Sequence, residues 1–492
     1  MMGHWIIVPV VLPAVVGAVA VLALRHDLLL QRVFGTASMV ALLAVALALA
    51  ANGGPEAYRL GNWPAPFGIV LVLDRLAALM LVLTAFLALA VQLYAIGTGW
   101  DARGRHFHAL LQFQMMGLNG AFLTGDAFNL FVFFEVLLIA SYGLMIHAGG
   151  RDRLKAGVQY VAFNLVGSTL FLFGLATIYS VTGTLNMADL AVKLPLLPAG
   201  DFALIRVAGV MLLMVFAIKG ALVPLHFWLP ATYAQAPGPV SALFAVMTKV
   251  GAYAVIRCFT LFFPVTLPAT GTLFADLLIP AALLSLAVGG IGVLGARDLG
   301  RMAGFGAVAS MGTLFLAVAQ FTPAATAAAL YYALHSTLAA GAMFLLGDLI
   351  AARRGSGDLG LDAPAPGGLL AALYMAAAVA MAGLPPLSGF LGKLMVLQAT
   401  LVNPGLYWTA VLGSSFLMVL GFARAGSALF WKPATAAPAL PQPLAFCAVG
   451  LLLAGLVGLT LGAGPVTGWL AETAQGLHAP AAYIAANGLE GM

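Results

Sequence analysis

The sequence predicts an all-α, polytopic membrane protein with about 14 transmembrane helices, two inverted five-helix repeats, and breaks in helices 7 and 12. Three observations lead there. Of 492 residues, 63% are hydrophobic and only 8% are charged, against roughly 25% charged in an ordinary soluble domain. Mean hydropathy is +1.07. The apolar runs are continuous rather than alternating, which excludes a β-barrel. Two runs are too long for one straight span, and each carries proline at its middle. A soluble enzyme, a secreted disulfide scaffold and a disordered chain lack the surface chemistry for this composition.

A spanning helix needs about 20 apolar residues. That window gives spans near 4–24, 33–51, 74–96, 106–124, 126–147, 157–181 and 203–234. Further spans lie near 240–262, 272–295, 301–320, 323–352, 369–402, 405–430 and 444–463. The first run has no basic segment before it and is long enough to span, so it reads as a helix rather than a cleaved leader. The chain after Pro465 reads as a mildly polar tail with Glu472 and Glu490. Cys258 and Cys447 both lie in apolar runs and read as small buried hydrophobes.

Loop charges set the orientation. One set of alternate loops carries Arg25 and Arg32, Arg103 and Arg105, Arg151, Arg153 and Lys155, then Arg297 and Arg301, Arg353 and Arg354, and Lys432. The opposite set holds little beyond Arg59 and Lys193. The positive-inside rule makes the first set cytoplasmic. Both termini then lie outside, which agrees with an even number of spans.

The run 203–234 would make a helix of about 48 Å, against a hydrocarbon core of about 30 Å. The run 369–402 has the same excess. Pro224 and Pro385-Pro386 mark where they break. Broken backbone inside a membrane is tolerated only where protein buries it or a polar cavity receives it. The segment Leu222-Val223-Pro224-Leu225-His226-Phe227-Trp228-Leu229 can be laid on Leu384-Pro385-Pro386-Leu387-Ser388-Gly389-Phe390-Leu391. Five spans separate the breaks, and an odd spacing inverts one unit relative to the other. Chance similarity of two kinked helices is the alternative. The chain then divides into spans 1–3 (1–105), a first repeat (106–262), a second inverted repeat (263–430) and the last span with its tail (431–492).

Ionisable side chains at mid-membrane are expensive and become functional candidates by default. Glu135 sits about nine residues into the fifth span, hence about 14 Å deep. Lys219 precedes the Pro224 break, and Lys249 lies about ten residues into the eighth span. His335 lies about twelve residues into the eleventh, and Lys393 follows the second break by two turns. All five fall near one depth. Each has a plainer reading. Glu135 and Lys219 could be a structural tie, Lys249 and Lys393 could snorkel, and His335 could simply bond a helix carbonyl. His226 reads as a cavity-lining group, and Arg257, Asp348 and Arg424 as boundary partners.

Burial disfavours a lysine's charged form, and a nearby carboxylate restores it. A lysine whose glutamate partner approaches or recedes is thus a switchable proton store. Lys219, Lys249, His335 and Lys393 at one depth read as a lateral proton relay, with Ser241, Thr248, Ser310 and Thr337 as hydroxyl links. The histidines are scattered, so no metal site is expected. No phosphate loop, dinucleotide fingerprint, haem motif or flavin motif is present, so no cofactor is expected.

At these residues the sequence resembles a known family. The run from Lys219 through Pro224, His226, Trp228 and Pro230 is similar to the signature of antiporter-like membrane subunits. So is its continuation through Pro237, Pro239, Ser241, Lys249, Tyr253 and Arg257. Such subunits occur in respiratory complex I, membrane-bound hydrogenases and Mrp-type antiporters. The resemblance implies a fourteen-helix fold whose proton paths meet at midplane lysines. It implies a fifth-helix glutamate paired with a seventh-helix lysine, matching Glu135 and Lys219. It also implies an eighth-helix lysine at Lys249, an eleventh-helix histidine at His335 and a twelfth-helix lysine at Lys393. The run Thr124-Gly125-Asp126 to Ser141-Tyr142, and that beginning at Thr182, most resemble the D-type component of Mrp-type antiporters. The resemblance implies a component of a transporter rather than an enzyme, in a bacterial inner membrane, working with A-, B-, C-, E-, F- and G-type subunits. It would exchange Na+ or K+ for protons. The alternative is a redox-driven pump component of complex I or of a hydrogenase.

Overall fold

The computed structural model describes residues 2–431 and 441–489. Lys432 and Glu490 lie outside the described residues. Among the described residues, 12 helices are long and apolar enough to cross a membrane.

The N-terminal part is built from α1 (Val8–Leu22), α2 (Leu28–Ala50) and α3 (Arg75–Thr98). Asp27 and Asp74 open α2 and α3 by accepting hydrogen bonds from the amides of Leu30 and Ala77, which satisfies donors that a helix start leaves unpaired. The loop between α2 and α3 holds an antiparallel pair absent from the expected all-helical pattern, β1 (Glu56–Arg59) and β2 (Val70–Leu73), with Glu56 opposite Leu73. The strand β2 is a run of Val and Leu buried on both faces, so a strand of four residues reads as an apolar stretch like any other here.

Next come α4 (Phe107–Leu123), α5 (Ala127–Met145) and α6 (Arg151–Thr182). A short α7 (Met187–Lys193) is capped by Asn186. The run 202–235 forms two helices, α8 (Phe202–Lys219) and α9 (Trp228–Gln235), with residues 220–227 outside helix. The helix α10 (Gly238–Leu261) follows, and all of its residues are buried.

The later half holds α11 (Leu273–Gly295), α12 (Leu299–Val318) and α13 (Pro323–Arg354). Pro323 stands in the first turn of α13, where its missing N–H is harmless, and Thr322 caps that end. The run 368–399 again forms two helices, α14 (Gly368–Ala382) and α15 (Ser388–Ala399). The last helices are α16 (Pro404–Gly426), α17 (Pro443–Leu461), α18 (Ala463–His478) and α19 (Ala481–Ala486). The segment read as a polar tail is therefore largely helical. The helix α18 turns Leu470, Thr473, Ala474 and Leu477 inward onto α13 and α10, a spacing that keeps one face apolar.

Packing separates an inner from an outer set. The helix α10 contacts α3, α8, α12 and α13, and α12 and α13 are almost wholly buried. The outer helices present apolar side chains outward, such as Leu165, Phe173 and Ile291, as lipid-facing helices do. Cys258 is buried but Cys447 is exposed. In a chain whose outer face is apolar too, apolar neighbours do not reveal burial. The most extensive helix pairing is α11 on α12. Gly289 admits the backbone of Ala309, and a methyl at Gly312 would lie 2.8 Å from the carbonyl oxygen of Ala282.

Candidate functional site

The five ionisable groups picked from the sequence lie on five helices, α5, α8, α10, α13 and α15, and four of them are buried. Lys219, Lys249, His335 and Lys393 are all under 9% exposed. Glu135 is half-buried.

Glu135 and Lys219 face α6 rather than each other. Lys219 donates to Oδ1 of Asn164 at 2.7 Å and stands 5.9 Å from the ring centre of Phe134. Glu135 accepts a hydrogen bond from Ser168. Asn164 and Ser168 are one turn apart on α6, and Ser168 also bonds the carbonyl of Asn164. The expected direct contact is thus replaced by a polar bridge. Glu135 remains within electrostatic reach of Lys219.

Lys249 is 1% exposed, and its ammonium has one hydroxyl neighbour, Thr248 at 3.5 Å. Among the described residues, no carboxylate comes within 4.0 Å of Lys219, Lys249 or Lys393. That is unusual for buried ammonium groups, which ordinarily occur paired. His335 lies within electrostatic reach of both Lys249 and Lys393. Its ring nitrogens meet the Ser388 hydroxyl at 3.0 Å and the Ala380 carbonyl at 3.1 Å. Those partners sit at the start of α15 and near the end of α14. Lys393 donates to the carbonyl of Ala382 at 2.8 Å and to Ser415 of α16 at 2.7 Å. Gly383, at φ 78°, leaves room for this side chain, since a methyl there would lie 2.6 Å from its Cδ.

Of the anticipated hydroxyl links, Thr248 lies beside Lys249 and the other three bond elsewhere. Ser241 and Thr337 donate to backbone carbonyls at 2.8 Å each. Thr248 bonds Ala245 as well as approaching Lys249. Ser310 receives the Tyr332 hydroxyl at 3.5 Å. The polar side chains that touch the five ionisable groups are Asn164, Ser168, Thr248, Ser388 and Ser415. Asn164 could have been found by the rule that found Glu135, since it interrupts the apolar run Phe163-Asn164-Leu165-Val166. The serines carry no such signal, because a hydroxyl in a membrane helix is readily satisfied by its own backbone.

The boundary charges form ties at both ends of the bundle. Arg257 meets Asp74 through two hydrogen bonds of 2.6 and 2.7 Å. Asp348 accepts from Tyr94 at 2.7 Å and from Trp100 at 2.8 Å. Arg424 donates to the carbonyl of Ala296. Arg32 holds Asp101 at 2.6 Å, His108 meets the same carboxylate at 3.1 Å, and Gln92 donates to the other nitrogen of His108. Burial alone would raise the Asp101 carboxyl, but hydrogen bonds from His108 and Arg32 outweigh it and hold Asp101 at about 2. Beside it, burial pushes the His147 imidazole down, and its ring bonds the carbonyl of Trp100.

Residues 124–421 match the family described as NADH:quinone oxidoreductase/Mrp antiporter, TM. The chain is 39% identical to the D-type component of a probable K+/H+ antiporter from Rhizobium meliloti (strain 1021), covering 97% of this chain and 96% of that one. It is 36% identical to the D-type component of the Na+/H+ antiporter of Bacillus subtilis (strain 168), over 99% of both. A chain in the structure of the Mrp complex from Dietzia sp. DQ12-45-1b superposes with a TM-score of 0.86 at 28% identity, again over 99% of both. The protein is therefore a multi-pass membrane protein of the NADH:quinone oxidoreductase/Mrp antiporter family, and within it belongs with the D-type components of Mrp antiporters.

Proposed function

We propose that this chain is the proton-translocating component of a multisubunit monovalent cation/proton antiporter, exchanging Na+ or K+ for protons in a bacterial inner membrane. It is part of a transporter rather than an enzyme. The carrying observation is the set of three buried lysines with no carboxylate in contact among the described residues, with His335 within electrostatic reach of two of them. A scaffold has no use for such groups, whose burial is costly. Similarity to D-type antiporter components along nearly the whole chain favours antiport over a redox-driven pump.

In this reading the relay comprises Glu135, Lys219, Lys249, His335 and Lys393, with Asn164, Ser168, Ser388 and Ser415 positioning the ionisable groups. Helices α8 and α9 are the halves of one interrupted span, and α14 and α15 of another. They occupy corresponding places in two inverted units, residues 106–262 and 263–430. Counting these and α4, the chain crosses 14 times with both termini outside. Protons move laterally between the units through side chains and water. The A-, B-, C-, E-, F- and G-type subunits are its partners.

The test is cation-dependent proton exchange in inverted vesicles containing the whole complex, with sodium and potassium assayed separately. Wild type should exchange at least one of them for protons. Lys249→Ala, in a complex assembled to the normal level, should reduce exchange at least a hundredfold. Normal exchange in that variant would refute the relay.

A further inference from the structure

Two adjoining cavities lie where α2, α3 and α18 converge. The deeper one is an apolar groove of about 530 Å3, floored by Leu334 and Leu338 of α13 and edged by Val82 and Phe86 of α3. The other is a polar cavity of about 300 Å3 that holds Arg75, Glu472 and Tyr483. Three segments contribute to both, about one turn apart. Ala50 lines the groove and Gly53 the polar cavity; Leu79 lines the groove and Arg75 the polar cavity; Trp469 lines the groove and Glu472 the polar cavity. A single elongated ligand, apolar at one end and charged at the other, would fill both.

We infer that these cavities form a binding site for one phospholipid, selective for a zwitterionic headgroup that carries a primary ammonium; on the topology proposed above, it is a lipid of the outer leaflet. The dimensions support a lipid. From Arg75 at the mouth to Phe86 is 11 residues of helix, or about 16 Å, close to half of a hydrocarbon core of about 30 Å. The two cavities together are thus about one leaflet deep, and the groove's volume lies within the range of small-molecule sites, about 300–1,000 Å3. Trp469 sits at the junction, as tryptophan does at membrane interfaces, with the Arg75 guanidinium 5.6 Å from its ring centre.

The charges support the headgroup. Asp74 also lines the polar cavity, but it is committed to Arg257 through two hydrogen bonds. Among the described residues, Arg75 and Glu472 form an ion pair only with each other, across the mouth, at 28% and 65% side-chain exposure. A surface pair of this kind is worth little and exchanges partners readily. A phosphate would take Arg75 and an ammonium would take Glu472. Tyr483 also lines the polar cavity, with its buried hydroxyl turned inward beside Gly125. An anionic glycerol headgroup would satisfy Arg75 but face Glu472 with no cation to offer it.

The experiment is native mass spectrometry of the assembled complex, delipidated and then titrated with palmitoyl-oleoyl phosphatidylethanolamine or phosphatidylglycerol. The wild type should retain one phosphatidylethanolamine at least fivefold more readily than phosphatidylglycerol. Glu472→Gln, at an exposed position, should abolish that preference while still retaining a lipid. Val82→Trp should fill the groove and remove one bound lipid of either kind. Equal retention of both lipids by the wild type would overturn the proposal. So would unchanged binding in both variants, or a wild-type complex that retains no lipid because another subunit covers the groove.

Discussion

Lys219 donates its ammonium to the amide oxygen of Asn164, and Glu135 is met one turn further along the same helix by Ser168. The helix α6 therefore stands between acid and base as a polar bridge. A charged donor that loses its acceptor forfeits about 1.5–3 kcal/mol, or roughly 10- to 100-fold in a rate that depends on that geometry. Asn164→Leu should lower cation-driven proton exchange by that factor in complexes that assemble normally. Exchange at the wild-type rate would remove Asn164 from the mechanism.

A second expectation separates transport from structure. Replacing a buried charged group and its counter-charge together by apolar residues is often neutral or stabilising. Glu135→Leu combined with Lys219→Met should leave the complex assembled, with a thermal midpoint equal to or above that of the wild type. It should carry no exchange. A working double variant would reduce the two residues to a tie between helices.

Lys393 is held by the Ala382 carbonyl and by Ser415. Lys393→Ala should stop exchange altogether. Ser415→Ala removes one of two acceptors and should slow exchange about tenfold or less. The readout is again vesicle exchange per assembled complex. Equal effects of the two substitutions would argue that Ser415, and not the lysine's proton, sets the rate.

The sequence carried much of this arrangement. Long apolar runs and the positions of Glu135, Lys219, Lys249, His335 and Lys393 follow from solvation alone, because a lipid interior penalises charge wherever it occurs. Hydrogen-bond partners do not follow from it. Asn164, Ser168, Ser388 and Ser415 are short polar groups that a helix satisfies internally, so only the packing of α6, α15 and α16 reveals which ones turn toward an ionisable side chain. The tail reads wrongly for a related reason. Its helix α18 is amphipathic, and hydropathy averaged over a window hides a face. Strand β2 and the outward Cys447 share the problem that Val, Leu and Cys mean the same thing to a hydropathy scale whether they meet protein or lipid.

In the basic loop after α3, Asp101 lies at about 2, held by His108 and Arg32 against the effect of burial. A carboxylate with a depressed folded-state value contributes stability that is fully present above its unfolded value, near 3.9, and lost as pH falls through the folded one. The contribution is on the order of 2 kcal/mol. The difference in thermal midpoint between the wild type and Asp101→Asn should therefore be constant above about pH 5 and shrink as pH drops toward 3. A difference that grew on acidification would contradict this assignment.

The chain on its own should insert and fold but exchange nothing. No soluble domain accompanies the helices among the described residues. Purified chain in liposomes should give no sodium- or potassium-dependent proton flux above that of protein-free liposomes. Robust flux would mean that the cation path lies within this chain.

The helix α13 is tied at three levels. Thr326 meets His478 in its first turn, Tyr331 donates to Leu459 further along, and Asp348 is gripped by Tyr94 and Trp100 near its far end. His335 rides between these ties. A shaft fastened along its length neither slides nor tilts without tearing several bonds at once. On the relay proposed above, the motion that serves His335 would belong to rotating side chains, to water, and to the shorter α14 and α15 beside it. On that proposal transport would proceed by small rearrangements around a stationary axle, and a crosslink that froze α13 in place should leave its turnover intact.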